Sequence, residues 1–249
     1  MIKTLFYNDD CINPFEKIND NSIDLVITDV PYGVNFKNDF YDDTKEYVFS
    51  NYEKWIANIS RVLKDGSHCY IFVPTQEIDK WVSMIKKYLT FKNIITTRTY
   101  TTQNYLKDNF SYNTQFIIYC SKGKAKPFNK VDFIKTSESW LKDKRNKNPK
   151  QYTYNYPSFM PDYIFSNVKG NSKNKLVHPN QKNIDFQKFL IEFSTNVGDS
   201  VLDPFMGSGS SGLASVKCQR NYIGIEQDEY YFNVATQMIL HEIGRDKNE

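Results

Sequence analysis

The sequence predicts an α/β protein built on about seven strands that are mostly parallel, with one antiparallel strand in the sheet. Apolar strand patterns alternate with amphipathic helical patterns over most of the 249 residues. Ile23–Thr28 is an almost continuous apolar run, which is typical of a parallel strand buried on both faces. Asn93–Thr99 and Thr114–Cys120 are strand patterns with no helical pattern between them, which predicts an antiparallel pair.

The other elements are predicted in order from apolar spacing and turn residues. Further strands are predicted at Lys3–Tyr7, His68–Val73, Ser200–Leu202 and Asn221–Ile225. Helices are predicted at Glu46–Leu63, Gln76–Leu89, Lys182–Thr195, Ser210–Lys217 and Glu229–Ile243. Lys64-Asp65-Gly66 is expected to end the helix that begins at Glu46, and the polar segment Gly33–Thr44 is expected to be a loop.

One segment, Ser121–Leu176, breaks this alternation. It is rich in lysine and tyrosine and shows no sustained periodicity, so we expect an insertion in the α/β domain. The predicted division of the chain is therefore residues 1–120 as the first part of that domain, 121–176 as the insertion and 177–249 as the last part.

The composition limits the classes of protein to be considered. A content of 40% hydrophobic and 16% aromatic residues suffices for a packed core, whereas a net charge of +3 identifies no partner. The four cysteines are scattered without a C-x-x-C pair, so neither a metal site nor a disulfide framework is expected. No apolar run approaches roughly 20 residues and no signal peptide is recognisable, so we expect no membrane partner and a cytoplasmic location.

A glycine-rich turn follows the strand Ser200–Leu202. It reads Asp203-Pro204-Phe205-Met206-Gly207-Ser208-Gly209-Ser210-Ser211-Gly212, and the acid Glu226 ends the next strand. Glycines let the backbone turn tightly and approach a ligand. A carboxylate at the end of the next strand can accept hydrogen bonds from ribose hydroxyls. Asp203 suits a ligand ammonium, and Phe205 suits a sulfonium or an adenine face. The segment therefore predicts a cofactor cradle.

The same glycine spacing also matches the dinucleotide-binding fingerprint, so a nicotinamide enzyme is a rival interpretation of this motif. Only one predicted helix follows Glu226, which leaves no room for the further strands of a dinucleotide fold. The acid and the aromatic residue at the strand end also count against that interpretation. A strand–helix turn that binds nothing is the third alternative.

A second turn, Asp29-Val30-Pro31-Tyr32-Gly33, follows the buried strand Ile23–Thr28. Pro31 holds Val30 extended, which directs the Val30 carbonyl outward beside the Asp29 carboxylate. Two neighbouring acceptors suit a planar exocyclic amine, and Tyr32 offers a face on which a base can stack. Because ligands bind beyond the carboxyl ends of strands in open α/β sheets, both turns are expected at one edge.

Together, the two turns resemble the motifs of the S-adenosylmethionine-dependent amino-methyltransferases of DNA, in the beta-class order. Asp29-Val30-Pro31-Tyr32 is similar to the D-P-P-Y motif of that family, and Asp203–Gly209 is similar to its D-P-F-x-G-S-G motif. Val30 and Asn183 stand where the family usually has proline. Only the carbonyl of Val30 is needed for the expected hydrogen bond, so we expect activity to be retained.

The resemblance implies a seven-stranded, Rossmann-like methyltransferase sheet, S-adenosylmethionine as the cofactor and a flipped DNA base as the substrate. Asp29, Val30, Pro31 and Tyr32 are implied to be catalytic. The implied cofactor-binding residues are Asp10, Asp29, Lys182, Asp203, Phe205, Gly207, Ser208, Gly209 and Glu226. Among them, Asp203 and Lys182 would hold the methionine part, Glu226 the ribose and Asp10 the adenine.

The residue at position 29 bears on the target base. Adenine-N6 enzymes of this family usually carry Asp there and cytosine-N4 enzymes usually carry Ser, so Asp29 favours adenine. Cytosine-C5 chemistry is disfavoured because no Pro-Cys motif is present. A cytosine-N4 enzyme and a catalytically silent relative that binds nucleic acid remain open alternatives.

The insertion is the expected site of target recognition. Lys142, Lys144, Arg145 and Lys147 lie in a stretch with few acids, and tyrosines follow them. Such a stretch suits phosphate contacts and base stacking, although by itself it also fits a solvated loop. Phe36, in the loop after the first motif, is expected to contact the flipped base. DNA is thus the predicted partner, and a homodimer and a companion restriction endonuclease remain open.

Overall fold

Strands and helices alternate along the computed structural model, which describes residues 2–33, 44–98, 114–129, 133–134, 153–154 and 182–245. The strands are β1 (Thr4–Asn8), β2 (Ile23–Asp29), β3 (Leu63–Val73), β4 (Thr90–Arg98), β5 (Thr114–Ser121), β6 (Phe133–Ile134), β7 (Thr153–Tyr154), β8 (Ser200–Asp203) and β9 (Asn221–Glu226). The helices are α1 (Ile12–Phe15), α2 (Lys45–Val62), α3 (Ile78–Tyr88), α4 (Ile184–Ser194), α5 (Ser210–Lys217) and α6 (Glu229–Arg245).

The main sheet has seven strands in the order β1-β9-β8-β2-β3-β5-β4. The pairs from β1 to β3 are parallel, whereas β5 runs antiparallel to both β3 and β4. This arrangement confirms the predicted fold class, including its single antiparallel strand. β6 and β7 form a separate antiparallel pair.

Both faces of the sheet are covered by helices. Val26 of β2 packs in a cluster with Trp55 of α2 and Trp81 of α3 on one face. Leu25, its neighbour in the chain, points to the opposite face and packs in a cluster with residues of α4, α5 and α6 such as Ile239. Successive residues of β2 are therefore buried on opposite sides, which explains the continuous apolar run in its sequence.

The junction between α2 and β3 differs from the prediction. Lys64-Asp65-Gly66 does not end the helix, because α2 already ends at Val62 and β3 begins at Leu63. Leu63 takes an extended backbone and pairs with Ile23 of β2, so helix and strand join without a loop. Gly66 lies within the strand at φ +80°, and its N–H donates to the Lys122 carbonyl at 2.7 Å. The short helix α1 was not predicted.

The chain continues to pack on the main domain beyond β5. The ammonium of Lys122 donates to the Asn21 side chain at 2.6 Å and to the Leu63 carbonyl at 2.9 Å. The amide of Asn129 donates to the carbonyls of Glu192 and Thr195 at the end of α4. The expected division at residues 1–120, 121–176 and 177–249 stays a prediction, but residues 122–129 are held by the sheet domain.

The sheet topology places the two motifs side by side. β2 and β8 are neighbours, with Leu25 opposite Val201 and Val26 opposite Leu202. Because these strands are parallel, Asp29 and Asp203 end them at the same edge. None of the helices in the described ranges combines the length and apolar content that crossing a membrane requires.

Gly212→Ala is expected to lower the free energy of unfolding by about 1–3 kcal/mol, as overpacking of a filled core does. A Cβ on Gly212 would lie 2.7 Å from the Tyr222 ring and against the end of Ile239. Urea denaturation followed by circular dichroism measures the change.

Gly244→Ala is the matched control, because a Cβ there meets no atom within 4 Å. In that helix, alanine should be neutral or stabilising by up to about 1 kcal/mol. Equal stabilities for the two variants would contradict the packing explanation for Gly212.

Candidate active site

A cleft lies at the edge where β1, β2, β8 and β9 end. The residues predicted to be functional that border it are Asp10, Asp29, Val30, Pro31, Tyr32, Lys182, Asp203, Phe205, Gly207, Ser208 and Glu226. Both motifs therefore contribute to a single concave site, as the order of the strands requires. The predicted nucleic-acid contacts Phe36, Lys142, Lys144, Arg145 and Lys147 lie outside the described residues.

The carboxylate of Asp203 joins the two motifs. Its Oδ1 accepts from the Thr28 hydroxyl at 2.7 Å and from the Phe205 N–H at 3.1 Å, and its Oδ2 accepts from the Ser211 hydroxyl at 2.5 Å. The side chain is only 4% exposed. Burial raises the pKa of Asp203 to about 6, although these three donors oppose the shift. Asp203 is thus a rigid acceptor beneath the cleft.

Glu226 is a second buried carboxylate at the wall of the cleft. Its Oε2 accepts from the Gly207 N–H and its Oε1 accepts from the Asp228 N–H, both at 2.8 Å. Burial is again the main cause that raises the pKa of Glu226 to about 7. The two backbone donors fix its orientation and tie the end of β9 to the glycine-rich turn after β8.

The three glycines of the fingerprint lack a side chain for different structural reasons. Gly207 has φ +51°, and a Cβ there would meet nothing within 4 Å, so its bare backbone borders open space. A Cβ on Gly209 would lie 2.7 Å from the Cβ of Ala235. A Cβ on Gly212 would likewise clash with Ile239 of α6. Gly207 therefore fits a ligand cradle. The missing side chains of Gly209 and Gly212 are explained by the packing of α6.

An aromatic wall with a carboxylate beside it forms the far side of the cleft. The Phe205 ring lies edge-on to the Trp55 ring at 4.9 Å between centroids. The Tyr47 hydroxyl donates to Asp10 Oδ2 at 2.9 Å, and the Ile12 N–H donates to Asp10 Oδ1 at 2.9 Å. The sequence did not identify Tyr47 or Trp55 as site residues, because their spacing on α2 indicated only an apolar helix face.

Asp29 lies in a connected network at the end of β2. Its Oδ1 accepts from the Tyr32 hydroxyl at 2.6 Å, and its Oδ2 pairs with the Lys182 ammonium at 2.7 Å. The amide of Gln115, on β5, donates to the Tyr32 oxygen at 2.5 Å. Burial and the neighbouring Asp29 charge raise the pKa of Tyr32, so its hydroxyl keeps its proton. Neither the Lys182–Asp29 pair nor Gln115 was predicted.

The family is identified by comparison with known proteins. A family model described as DNA methylase, for the N6/N4 enzymes, matches residues 23–237 of this chain. The chain belongs to the N6/N4 DNA methylase family. The predicted family is thereby confirmed, and the glycine-rich turn belongs to a methyltransferase and not to a nicotinamide enzyme.

Two curated relatives match this methylase over most of its length. The chain is 30% identical over 257 residues to the type II methyltransferase M2.MboI of Moraxella bovis, covering 95% of this chain and 87% of the relative. It is also 30% identical to the type II methyltransferase M.HpaI of Haemophilus parainfluenzae, covering 93% of this chain and 72% of the relative.

Solved structures show the same fold. The complex of M1.HpyAVI with S-adenosylmethionine matches with a TM-score of 0.62 at 24% identity and covers 94% of this chain and 99% of that one. The cytosine-N4-specific PvuII methyltransferase matches with a TM-score of 0.65 at 17% identity and covers 94% and 85%.

S-adenosylmethionine is the cofactor of this family, which confirms the predicted cofactor. The cleft of the methylase suits it chemically, because Asp10, Asp203 and Glu226 offer acceptors to a cationic adenosine ligand. Gly207 leaves room for close approach, and the ring of Phe205 lies at the wall. Among the described residues, no cluster of histidine, cysteine or acidic side chains could hold a metal ion.

Thr28→Val is expected to destabilise the methylase by about 1–3 kcal/mol at a pH where Asp203 is ionised in both proteins, because the variant removes a donor from a buried carboxylate. The pKa of Asp203 is already raised to about 6. Losing the donor raises it further in the variant, so the destabilisation is full above that raised pKa. It shrinks as the pH falls toward about 6, where Asp203 of the wild type takes up a proton as well.

Thr28→Ser keeps the hydroxyl and serves as the control. Denaturant unfolding of both variants over a range of pH measures the effect. A destabilisation by Thr28→Val that is independent of pH, or equal to that of Thr28→Ser, would show that the hydroxyl does not support the charge of Asp203.

Proposed function

We propose that this methylase transfers a methyl group from S-adenosylmethionine to the exocyclic N6 of an adenine that is flipped out of DNA. The observation that carries the proposal is the position of Asp29, which ends β2 in the same cleft as the acids of the cofactor motif. A base inside a duplex cannot reach this cleft, so the target must leave the stack. The side chain of Asp29 is 27% exposed, which leaves it accessible.

The exocyclic amine is a weak nucleophile because its lone pair is delocalised into the ring. Asp29 and the carbonyl of Val30 would accept its two hydrogens, which favours a tetrahedral nitrogen with its lone pair free. The cofactor supplies an electrophilic methyl group bound to a sulfonium. The nitrogen would take this methyl group in exchange for the bond to sulfur, and the Asp29 carboxylate would accept the proton that the methylated nitrogen releases. Positioning and fixed dipoles provide most of the rate.

The network around Asp29 supports this role. Tyr32 and Lys182 each hold one oxygen of its carboxylate, so the acceptor is oriented before a substrate arrives. The Lys182 ammonium also lies 5.9 Å from the centroid of the Tyr32 ring. We propose that the Tyr32 ring is the surface on which the flipped base stacks, a contact worth about 1–3 kcal/mol.

The cofactor roles that we propose are those implied by the family resemblance, and the chemistry of the cleft fits them. Asp203 and Lys182 would hold the methionine part through opposite charges, and Glu226 would accept the ribose hydroxyls. Phe205 would pack near the methionine part, and Asp10 would accept a hydrogen bond from the amine of the cofactor's adenine. The backbone of Gly207 and Ser208, which border the cleft, would form the cradle. To these predicted roles we add Tyr47, which donates to Asp10, and Trp55, which packs against Phe205.

The deciding experiment uses isotope-labelled S-adenosylmethionine and mixed genomic DNA, followed by nucleoside digestion and mass spectrometry. Labelled N6-methyldeoxyadenosine is the expected product. Labelled N4-methyldeoxycytidine would retain the mechanism but overturn the choice of base, since cytosine also presents two amine hydrogens to Asp29. Binding of the cofactor without any labelled product would indicate a catalytically silent relative.

Asp29→Ala is expected to lower kcat by at least about 100- to 1000-fold, because it removes the acceptor for the amine. The dissociation constant of S-adenosylmethionine should change little, as measured by calorimetry. Asp65→Ala is the control, since the Asp65 side chain is 92% exposed. Turnover like that of the wild type in Asp29→Ala would contradict the proposed mechanism.

The affinity for S-adenosylmethionine should depend on pH through Glu226. With a pKa of about 7, Glu226 is mostly ionised near pH 8 and mostly protonated near pH 6. An ionised carboxylate accepts ribose hydroxyls more strongly than the acid does. The affinity is therefore full above the pKa, and the dissociation constant should rise about tenfold as the pH falls from 8 to 6.

Calorimetry at several pH values measures this dependence. Glu226→Gln should bind the cofactor more weakly near pH 8 and lose most of the pH dependence above about pH 6.5. An unchanged slope in Glu226→Gln would assign the proton to another group.

A further inference from the structure

Gln115 reaches the active site because β5 runs against its neighbours. The parallel strands β2 and β3 end at the cleft, so an antiparallel strand beside them must begin there. Gln115 is the second residue of β5 and lies one position before Phe116, which pairs with Val73 at the end of β3. Its amide nitrogen donates to the Tyr32 hydroxyl oxygen at 2.5 Å.

This contact determines where the hydrogen of the Tyr32 hydroxyl points. A tyrosine hydroxyl has one hydrogen and can also accept, whereas an amide nitrogen only donates. With the Gln115 nitrogen directed at it, the Tyr32 oxygen accepts there and its own hydrogen goes to Asp29 Oδ1, 2.6 Å away. In the reversed amide orientation, the Gln115 oxygen would face the Tyr32 hydroxyl. The single hydroxyl hydrogen could then reach only one of its two neighbours, Asp29 Oδ1 or the Gln115 oxygen, and the other oxygen would face the hydroxyl oxygen with no hydrogen between them.

We propose that Gln115 is a positioning residue for methyl transfer, which holds the Tyr32 hydroxyl as a donor to Asp29. It would act on two parts of the reaction at once. The plane of the Tyr32 ring, on which the base stacks, is fixed at its hydroxyl end. The Asp29 oxygen that faces Tyr32 is fixed as well. The lone pairs of the carboxylate that Tyr32 does not occupy then remain available to the amine of the flipped base. This inference rests on the role proposed for Asp29.

The chemistry of glutamine suits this position. The Asp29 charge is already paired with the Lys182 ammonium, so a neutral donor completes the network without a second positive charge. The amide does not titrate, so the arrangement is independent of pH over the range in which the enzyme works. Gln115 is half-buried and does not border the cofactor cleft, in contrast to Tyr32 and Asp29.

Gln115→Leu should lower kcat about ten- to hundredfold, because the acceptor and the stacking plane lose their alignment. The dissociation constant of S-adenosylmethionine should be unchanged. Gln115→Glu should be as impaired near pH 8, since its carboxylate competes with Asp29 for the tyrosine hydrogen. As the pH falls, the protonated Glu side chain can donate again, so part of the activity should return.

Gln219→Glu is the matched control, because it makes the same change of charge on an exposed glutamine between α5 and β9. It should show neither the loss near pH 8 nor the recovery. Thermal unfolding of each variant separates a loss of alignment from a loss of folded protein. If Gln115→Leu does not fold, the pH profile of Gln115→Glu against that of Gln219→Glu remains the test.

Tyr32→Phe completes the test, because it removes the hydroxyl through which Gln115 would act. In that background Gln115→Leu should cause no further loss of kcat. An additive loss, or wild-type kcat in Gln115→Leu, would overturn the inference while leaving the proposed function intact. Absence of methyl transfer by the wild-type protein would instead overturn the proposed function, and this inference with it.

Discussion

The hydrogen bond between Thr28 and Asp203 connects the ends of two strands that are 175 residues apart in the chain, and the active site depends on it. It exists because β8 lies directly beside β2 in the sheet. If β2 and β8 were not adjacent, the amine acceptor Asp29 and the cofactor-motif acid Asp203 would not border the same cleft. The buried Asp203 accepts three hydrogen bonds, so a shift of either strand would leave a buried charged group short of donors.

The carboxylates of the cleft differ in environment, and this difference separates their roles. Asp203 and Glu226 are held mainly by neutral donors under strong desolvation, which raises their pKa values toward neutrality. A cationic ligand compensates for such a cost, so these sites favour a sulfonium cofactor. Asp29 is more exposed and pairs with Lys182, which suits a group that must meet an incoming neutral amine.

The sequence predicted the features that depend on local patterns: the alternation of strands and helices, the helix periods and the acids at strand ends. It did not predict Gln115, because a residue on an antiparallel strand enters the site only through sheet topology. Tyr47 and Trp55 were missed because a helix face that packs on the core also borders the cleft. The fingerprint glycines at positions 209 and 212 look like ligand contacts in sequence, yet close packing against α6 requires them. Similarly, Lys64-Asp65-Gly66 has turn composition but continues a strand.

The late position of β8 in the chain has a consequence for biosynthesis. During translation, β2 can pair with β3 early, but its other edge stays open until β8 has been made. At roughly 5–20 residues per second, this interval lasts roughly 10–35 s. Throughout it, an apolar strand with unpaired backbone groups is available to other nascent chains, as in any unprotected sheet edge. Fast synthesis or a holding chaperone should therefore favour soluble protein, whereas slow translation of the middle of the gene should favour aggregation.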